Sequence, residues 1–384
     1  MAAEMTKNNN QKLKLIPPSF DSSLTDTIME LNHLRKSQLS GSTPPWIFFQ
    51  IKEVFHLLES VGSARIEGNR TTISEYVEQK IEDADNNSDS FSEIANVESA
   101  LNYIEEYISE GTDITHQFIR ELHQLAVSNL EREGDKTPGA YRTWSVQISQ
   151  STHTPPEHIK VNDLMGELLD FINEPAQGKY QLLKAAIAHH RFAWIHPFGN
   201  GNGRVVRLLT YALLIKYGFN VKEGKIINPT AVFCNDRDEY YRMLSIADNG
   251  DDANILEWCE YVLRGILEEV AKVNQLTDHE FIVKEILHPS LEHSLKRDMI
   301  SKSEYLILGM AVEKGQFKSQ DVKELLSHRS PRQITSIIKN LKENNLIASF
   351  ETSGRVYYAN FINRYLMRGL MRTLEKKNFI PSID

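Results

Sequence analysis

Three glycines in five residues, Gly199, Gly201 and Gly203, run straight into Arg204 and an apolar stretch from Val205 to Ile215 that carries Arg207. Glycine adopts backbone conformations closed to other residues, so such a segment can turn sharply and aim several N–H groups into one concavity. The apolar run after it predicts a buried helix starting at the turn, and the free amides and positive dipole end of a helix attract phosphate. Arg204 and Arg207 are three apart and emerge on one side of its first turns. Just upstream lies His196, whose ordinary pKa near 6.5 suits it to accept a proton from a hydroxyl at neutral pH. A phosphate cradle beside a base predicts transfer of a phosphate-containing group onto a hydroxyl. The segment lacks the G-x-x-x-x-G-K-[ST] pattern of nucleotide hydrolases and the spacing of a dinucleotide fingerprint.

The stretch His196-Pro197-Phe198-Gly199-Asn200-Gly201-Asn202-Gly203-Arg204-Val205-Val206-Arg207 resembles the Fic family signature H-P-F-x-[D/E]-G-N-G-R-x-x-R, with eleven of twelve positions compatible. The resemblance implies an all-α Fic-type bundle with a β-hairpin flap, and adenylyl transfer (AMPylation) from ATP to a Ser, Thr or Tyr hydroxyl of a target protein. It implies His196 as general base and Phe198 as the anchor of the loop. Gly201, Asn202 and Gly203 would form the anion hole, with Arg204 on the α/β-phosphates and Arg207 on the γ-phosphate. Further matches are Gly139-Ala140-Tyr141-Arg142 before the expected flap and Asn235-x-Arg237-x-x-Tyr240-Tyr241, where Tyr240 resembles the adenine-side residue; coverage is roughly residues 15 to 272. The family's acidic Mg²⁺ ligand is Asn200 here, a neutral amide that would hold the ion less firmly and lean on the ATP phosphates. Three readings stay open: an AMP-transferase with reduced metal affinity, a Fic enzyme using another phosphorylated donor, and a degenerate enzyme.

A second resemblance is Ser63-Ala64-Arg65-Ile66-Glu67-Gly68, which is similar to the family's inhibitory motif [S/T]-x-x-x-E-[G/N]. Ser63 and Glu67 share a helical face, and Glu67 falls in a last turn where the helix dipole disfavours an anion unless a cation compensates. The resemblance implies Arg207 as that cation, a pairing that would fill the γ-phosphate site and inhibit the enzyme; a solvated Glu67 paired locally with Arg65 or Arg70 stays open.

The rest of the chain sets the context. Residues 1–45 are expected as an arm and first helix, 46–90 as the inhibitory helix and an acidic connector, 91–275 as the catalytic core and 276–300 as a helical connector. Apolar spacings of three and four from Phe48 to Val61 predict one buried helical face, closed by Gly68-Asn69. The stretch 134–156, with β-prone Trp144 to Ile148, is the expected flap. Residues 301–362 read as a winged helix-turn-helix, because Ser330-Pro331 opens a helix with an Ile334, Ile337, Ile338, Leu341 stripe and an alternating hairpin comes after it; 363–384 read as a C-terminal helix and tail. Residues 301–384 carry 14 Lys/Arg against 8 Asp/Glu, whereas the first 300 are net acidic. That asymmetry leaves open DNA contact through the winged helix, and with it the alternative of a DNA-binding regulator with a weak Fic domain. Two isolated cysteines, Cys234 and Cys259, and no apolar span or export signal predict a cytoplasmic protein with no membrane contact. A homodimer is also left open. His189-His190, His153 and His158 carry no ligand pattern, and no zinc is expected.

Overall fold

The computed structural model describes residues 13–36, 42–82, 88–148, 151–219, 229–234, 236–349 and 354–380. Residues 1–12 of the expected arm, 83–87 of the acidic connector and Asn235 lie outside the described residues. The helices are α1 (Ser23–Lys36), α2 (Pro45–Ile66), α3 (Ile73–Glu82), α4 (Asp89–Tyr107), α5 (His116–Ala126), α6 (Val161–Asn173), α7 (Gly178–Ile195), α8 (Asn202–Lys216), α9 (Pro229–Cys234), α10 (Arg237–Ala247) and α11 (Asp252–Gln275). Then come α12 (His279–Ile282), a π-helical turn Val283–Leu287, α13 (His288–Lys296), α14 (Lys302–Lys314), α15 (Ser319–Leu325), α16 (Pro331–Glu343) and α17 (Met367–Lys376). Three short strands, β1 (Phe317–Lys318), β2 (Ile347–Ser349) and β3 (Val356–Ala359), form one antiparallel sheet in the order β1-β3-β2.

The chain divides into two compact units that are not contiguous in sequence. The first comprises Met1–Gln38, Phe55–Thr71 and Asn87–Ala271; the second Leu39–Val54, Thr72–Asn86 and Lys272–Asp384. In the first unit α7 and α8 form the centre; two thirds of α7 and all of α8 but Gly203 are buried. Helices apolar all round have no solvated face, so α1, α4, α5 and α6 close over them. This matters for the site, because the turn between α7 and α8 is held by two buried helices and inherits their rigidity.

In the second unit a helix, β1, two helices and the β2–β3 hairpin succeed one another in that order. The hairpin register pairs Ile347 with Ala359 and Ser349 with Tyr357. Ser330 caps α16 by accepting from Gln333 N–H while the Gln333 side chain accepts from Ser330 N–H, a reciprocal capping box behind Pro331 at the first helical position. Gln50 donates to Ala359 O at 3.1 Å and accepts from Phe361 N at 2.5 Å, so the first half of α2 belongs to this sheet's surroundings.

The flap differs from expectation. Among the described residues of 134–156 there is no strand, and Trp144 to Ile148 are irregular. A strand exists only through a ladder partner. Here Arg142 ties the two legs instead, donating to Trp144 O at 3.0 Å and Pro156 O at 2.6 Å, while His153 Nε2 meets Trp194 O of α7 at 2.8 Å. Among the described residues no helix is long and apolar enough to cross a membrane.

Candidate functional site: the turn between α7 and α8

Helix α7 stops because His196 takes the left-handed conformation, φ 51°, while its N–H still bonds to Phe192 O at 3.0 Å. A non-glycine residue holds that geometry only where neighbours over-determine it. Arg142 is that neighbour: its buried guanidinium donates to His196 O at 2.8 Å and to Ile195 O at 3.3 Å, filling carbonyls that the helix end leaves open. Phe198 then plunges into the core and stacks on His123 at 3.7 Å with rings nearly parallel. Asn202 closes the turn, accepting from Phe198 N and donating to Phe198 O, both at 2.9 Å. Its carboxamide is therefore a staple, and its contribution to an anion site is its main chain. Gly201, φ 73°, admits no side chain, since a Cβ there would lie 2.6 Å from Val127.

The Asn200 side chain is turned back into its own loop. Its Oδ1 accepts from Gly201 N at 2.7 Å and its Nδ2 donates to Gly134 O at 3.1 Å. Its main chain is clamped as well: Asp135 Oδ2 accepts from Asn200 N at 2.7 Å, and His123 Nε2 approaches Asn200 O at 3.2 Å. Gly139 N–H donates to His123 Nδ1 at 2.9 Å, so the other nitrogen carries the proton and donates to Asn200 O. Burial pushes the His123 pKa down to about 4, which keeps that tautomer neutral.

The two arginines have different fates. Arg204, fully buried, donates to Ala126 O at 3.1 Å and Glu133 O at 2.7 Å and stands 3.3 Å from Glu93. It braces the loop from beneath. Arg207 donates through Nε to Ser63 Oγ at 2.9 Å, and through Nη2 to Ser63 O at 2.9 Å and Glu67 Oε1 at 2.8 Å. A Cβ placed on Gly203 would overlap the Glu67 carboxylate, which therefore lies directly over the first turn of α8. Burial works against both charges, yet the pairing prevails: the Glu67 carboxyl is held below its ordinary range and the Arg207 guanidinium above its own. A carboxylate thus fills the space over Gly203 and engages an arginine that would suit a phosphate.

Burial is also the largest influence on His196, lowering its pKa to about 4; Arg142 and His153 push the same way, and a bond to the Ala193 carbonyl and the Glu67 charge oppose it. Tyr240 is not presented to the site's surface: its ring is 2% exposed and its hydroxyl meets His189 Nε2 at 2.9 Å. Its neighbour Tyr241 is the exposed one, at 42%. Thr210 Oγ1 donates to Val206 O, so His189 Nδ1 donates to Thr210 and Nε2 accepts from Tyr240. His190 pairs with Asp248 at 2.9 Å, His153 packs on Trp194, and no cluster of three or more His, Cys, Asp or Glu suited to a metal occurs among the described residues.

With this geometry in place, comparison with known proteins is specific. The profile of the Fic/DOC family matches residues 113–214, which hold α5 to α8 and the whole turn. The chain contains a Fic domain. It is 27% identical over 298 residues to the protein adenylyltransferase Fic of Nematostella vectensis, covering 76% of this chain and 63% of that protein. It is 30% identical over 201 residues to the Drosophila willistoni protein of the same name, covering 51% and 37%. The chain thus spans less than two thirds of the length of these curated relatives. Among solved structures, a Fic family protein from Desulfovibrio desulfuricans G20 superposes with TM-score 0.56 at 19% identity, over 89% of this chain and 97% of that one. A Fic domain containing signaling protein from Bacteroides thetaiotaomicron gives 0.54 at 20% identity, over 65% and 96%. These likenesses establish the fold.

Four residues that position the Fic turn escape a reading of the motif: His123 and Asp135 on the clamp, Glu93 beneath Arg204, and Asn69 after the α2 end. Each acts through tertiary contact across tens of residues. Asp135 and Asn69 sit in polar stretches that read as ordinary loops, and only an isolated His on the strongly amphipathic α5 gave any local sign.

Proposed function

We propose that this chain is a protein adenylyltransferase held inactive by Glu67. Supporting the reading most directly is the juxtaposition at the α7–α8 turn: a base at His196, the α8 amides, and Arg207 carrying a carboxylate where a terminal phosphate would sit. The hydroxyl oxygen of a target Ser, Thr or Tyr attacks the α-phosphorus of ATP. His196 takes the hydroxyl proton, the bond from the α-phosphorus to the bridging oxygen breaks, and pyrophosphate leaves with that oxygen. The resemblance gives Arg204 the α/β-phosphates; the site's packing favours Arg204 as the brace under the loop and, with the Gly201 N–H taken by Asn200 Oδ1, leaves phosphate contact to Gly203, the Asn202 main chain and Arg207. On the adenine side, exposed Tyr241 joins Tyr240 as a candidate. Intact-mass measurement after incubation with ATP and Mg²⁺ tests the reaction. A gain of one AMP unit on the Glu67→Gly protein supports it, a different increment identifies another donor, and no increment on any variant or candidate target leaves the degenerate reading. We place the protein in the cytoplasm, on its two free, unpaired cysteines.

Magnesium ion, which the family implies, meets no prepared set of protein ligands among the described residues. The only side chain at the motif's acidic position is the Asn200 amide, and its oxygen is engaged by Gly201 N–H. An ion arriving with ATP would be held by the phosphates, and no step is assigned to it. Replacing Asn200 by Asp adds a charged oxygen. The expected result is that half-maximal transfer shifts several-fold to lower Mg²⁺; a titration superimposed on the parent's would remove residue 200 from the ion's surroundings.

For the second unit, the element order favours a winged helix, and the outer face of α16 favours DNA. Arg332, Thr335, Ser336, Lys339 and Asn340 are exposed there, with Arg355 exposed on the hairpin. Three phosphate contacts would give log K against log salt a slope of about −3. Fluorescence anisotropy with random duplex DNA should show that slope for the parent, and joint Arg332→Glu and Lys339→Glu substitution should abolish binding. Salt-independent or undetectable binding by the parent would assign the unit to protein contact.

A further inference from the structure

Helix α2 ends in a double-bonded stop: Gly68 N–H bonds to Arg65 O at 3.0 Å and Asn69 N–H to Ala64 O at 3.1 Å, with Gly68 at φ 102°. The half-buried Asn69 carboxamide is bonded at both ends. Its Nδ2 donates to Ser90 O at 2.8 Å and to Glu93 Oε2 at 2.9 Å, and its Oδ1 accepts from Thr71 N at 2.9 Å. One side chain therefore pins the end of α2 to the start of α4. Glu93 in turn is 2% exposed, and its other oxygen lies 3.3 Å from Arg204 Nη1.

This carboxylate has no role in the transfer chemistry. It is buried, its Oε1 has no hydrogen-bond partner, and neither has Arg204 Nε. Burial raises its pKa and Arg204 opposes the rise. A buried ion pair without aligned hydrogen bonds adds little net stability, so its contribution lies in what it positions. It touches two things. One is the arginine under the phosphate loop, the other is the residue two places after Glu67.

We propose that Asn69 and Glu93 form a latch that holds the end of α2 in register with α8, so that Glu67 stays on Arg207. The proposal rests on the inhibitory reading of Glu67 and names the contacts that keep it in place. Glu67 is the last residue but one before Asn69, and a pair joined by a single charge-assisted bond is easily lost if the helix end frays. With Asn69 bound to α4, the end of α2 cannot draw Glu67 away from Gly203 without breaking two further hydrogen bonds. Asn69 and Glu93 are positioning residues, since neither touches the reacting atoms.

The test compares parent, Asn69→Ala, Glu93→Gln, Glu67→Gly and the Asn69→Ala, Glu67→Gly double variant. Two readouts are used: labelled AMP incorporation at fixed ATP and Mg²⁺, and hydrogen exchange of the peptide covering residues 60–70. Asn69→Ala is expected to raise incorporation about tenfold, the scale of one lost hydrogen bond to a charged group, and to speed exchange at the helix end. Glu93→Gln should act in the same direction. In the Glu67→Gly background Asn69→Ala should change incorporation less than twofold, because the brake is already gone. A purely structural role would lower incorporation by the same factor in both backgrounds and overturns the latch. So does unchanged exchange at residues 60–70, whatever the activity does. Faster exchange with no gain for Glu67→Gly itself would uphold the latch and overturn the inhibitory reading instead.

Discussion

Replacing Glu67 by Gly is expected to raise self-AMPylation about tenfold to a hundredfold at fixed ATP and Mg²⁺. The magnitude derives from competition for one guanidinium. Arg207 donates to Glu67 at 2.8 Å in a site where the arginine is 1% exposed, and a hydrogen bond involving a charged group contributes roughly 1.5–3 kcal/mol. While that bond persists, a terminal phosphate has neither the arginine nor the space over Gly203. Once it is removed, the triphosphate can lie along the α8 N-terminus, and the α-phosphorus comes into line with His196 and the incoming hydroxyl. The effect should appear as a higher rate at saturating ATP as well as tighter binding, because misplacement of the α-phosphate is not cured by more nucleotide.

A cycle with Arg207→Ala separates this account from general loosening of α2. Ser63 also binds Arg207, through its hydroxyl and its carbonyl, so α2 keeps two of its three contacts with the guanidinium in the Glu67→Gly protein. The helix should remain docked. If the gain comes from the freed arginine, Glu67→Gly with Arg207→Ala loses it; if it comes from steric clearance over Gly203, the gain survives. No increase for Glu67→Gly in a protein that still binds ATP would remove Glu67 from control of the site.

The reach of the sequence is uneven, for physical reasons. Period and punctuation are local properties, so α2, α8, α16 and the β2–β3 hairpin could be placed from apolar spacing, Gly68 and Ser330-Pro331. The turn was legible because its chemistry is contiguous: base, nest and arginine fall within twelve residues. A carboxylate at a helix C-terminus calls for a cation, but local physics offers Arg65 and Arg70 as readily, and it was the motif resemblance that pointed 140 positions away to Arg207. Contacts with no such demand stayed hidden. The fate of Arg204 depended on Ala126, Glu133 and Glu93, which advertise nothing in sequence. Trp144 to Ile148 have the composition of a strand, yet strand formation depends on a partner, and Arg142 takes the Trp144 carbonyl instead. The same arginine explains why His196 can hold a left-handed backbone.

Replacing His196 by Ala should lower transfer by about two to four orders of magnitude, the usual contribution of a positioned general base. The background for the measurement is Glu67→Gly, where there is activity to lose. Nucleotide affinity should change little, because the side chain contributes to none of the bonds that shape the nest: Phe198 and Asn202 close on each other, and Arg142 binds the main-chain oxygen of residue 196. Alanine is less tolerant of the left-handed conformation than histidine, so the thermal midpoint should be read alongside and His196→Asn, which keeps that tolerance, should lose activity equally. The pH profile gives a second handle. A base acts in its neutral form, and burial sets the His196 pKa at about 4, so kcat/KM should be flat from neutrality down to the region of pH 4 and fall below it. Removing Glu67 takes away one of the charges that raise this pKa. A limb near 6.5 would mean that the proton acceptor is a solvent-exposed histidine, and transfer by His196→Asn at the Glu67→Gly rate would take the base away from residue 196 altogether.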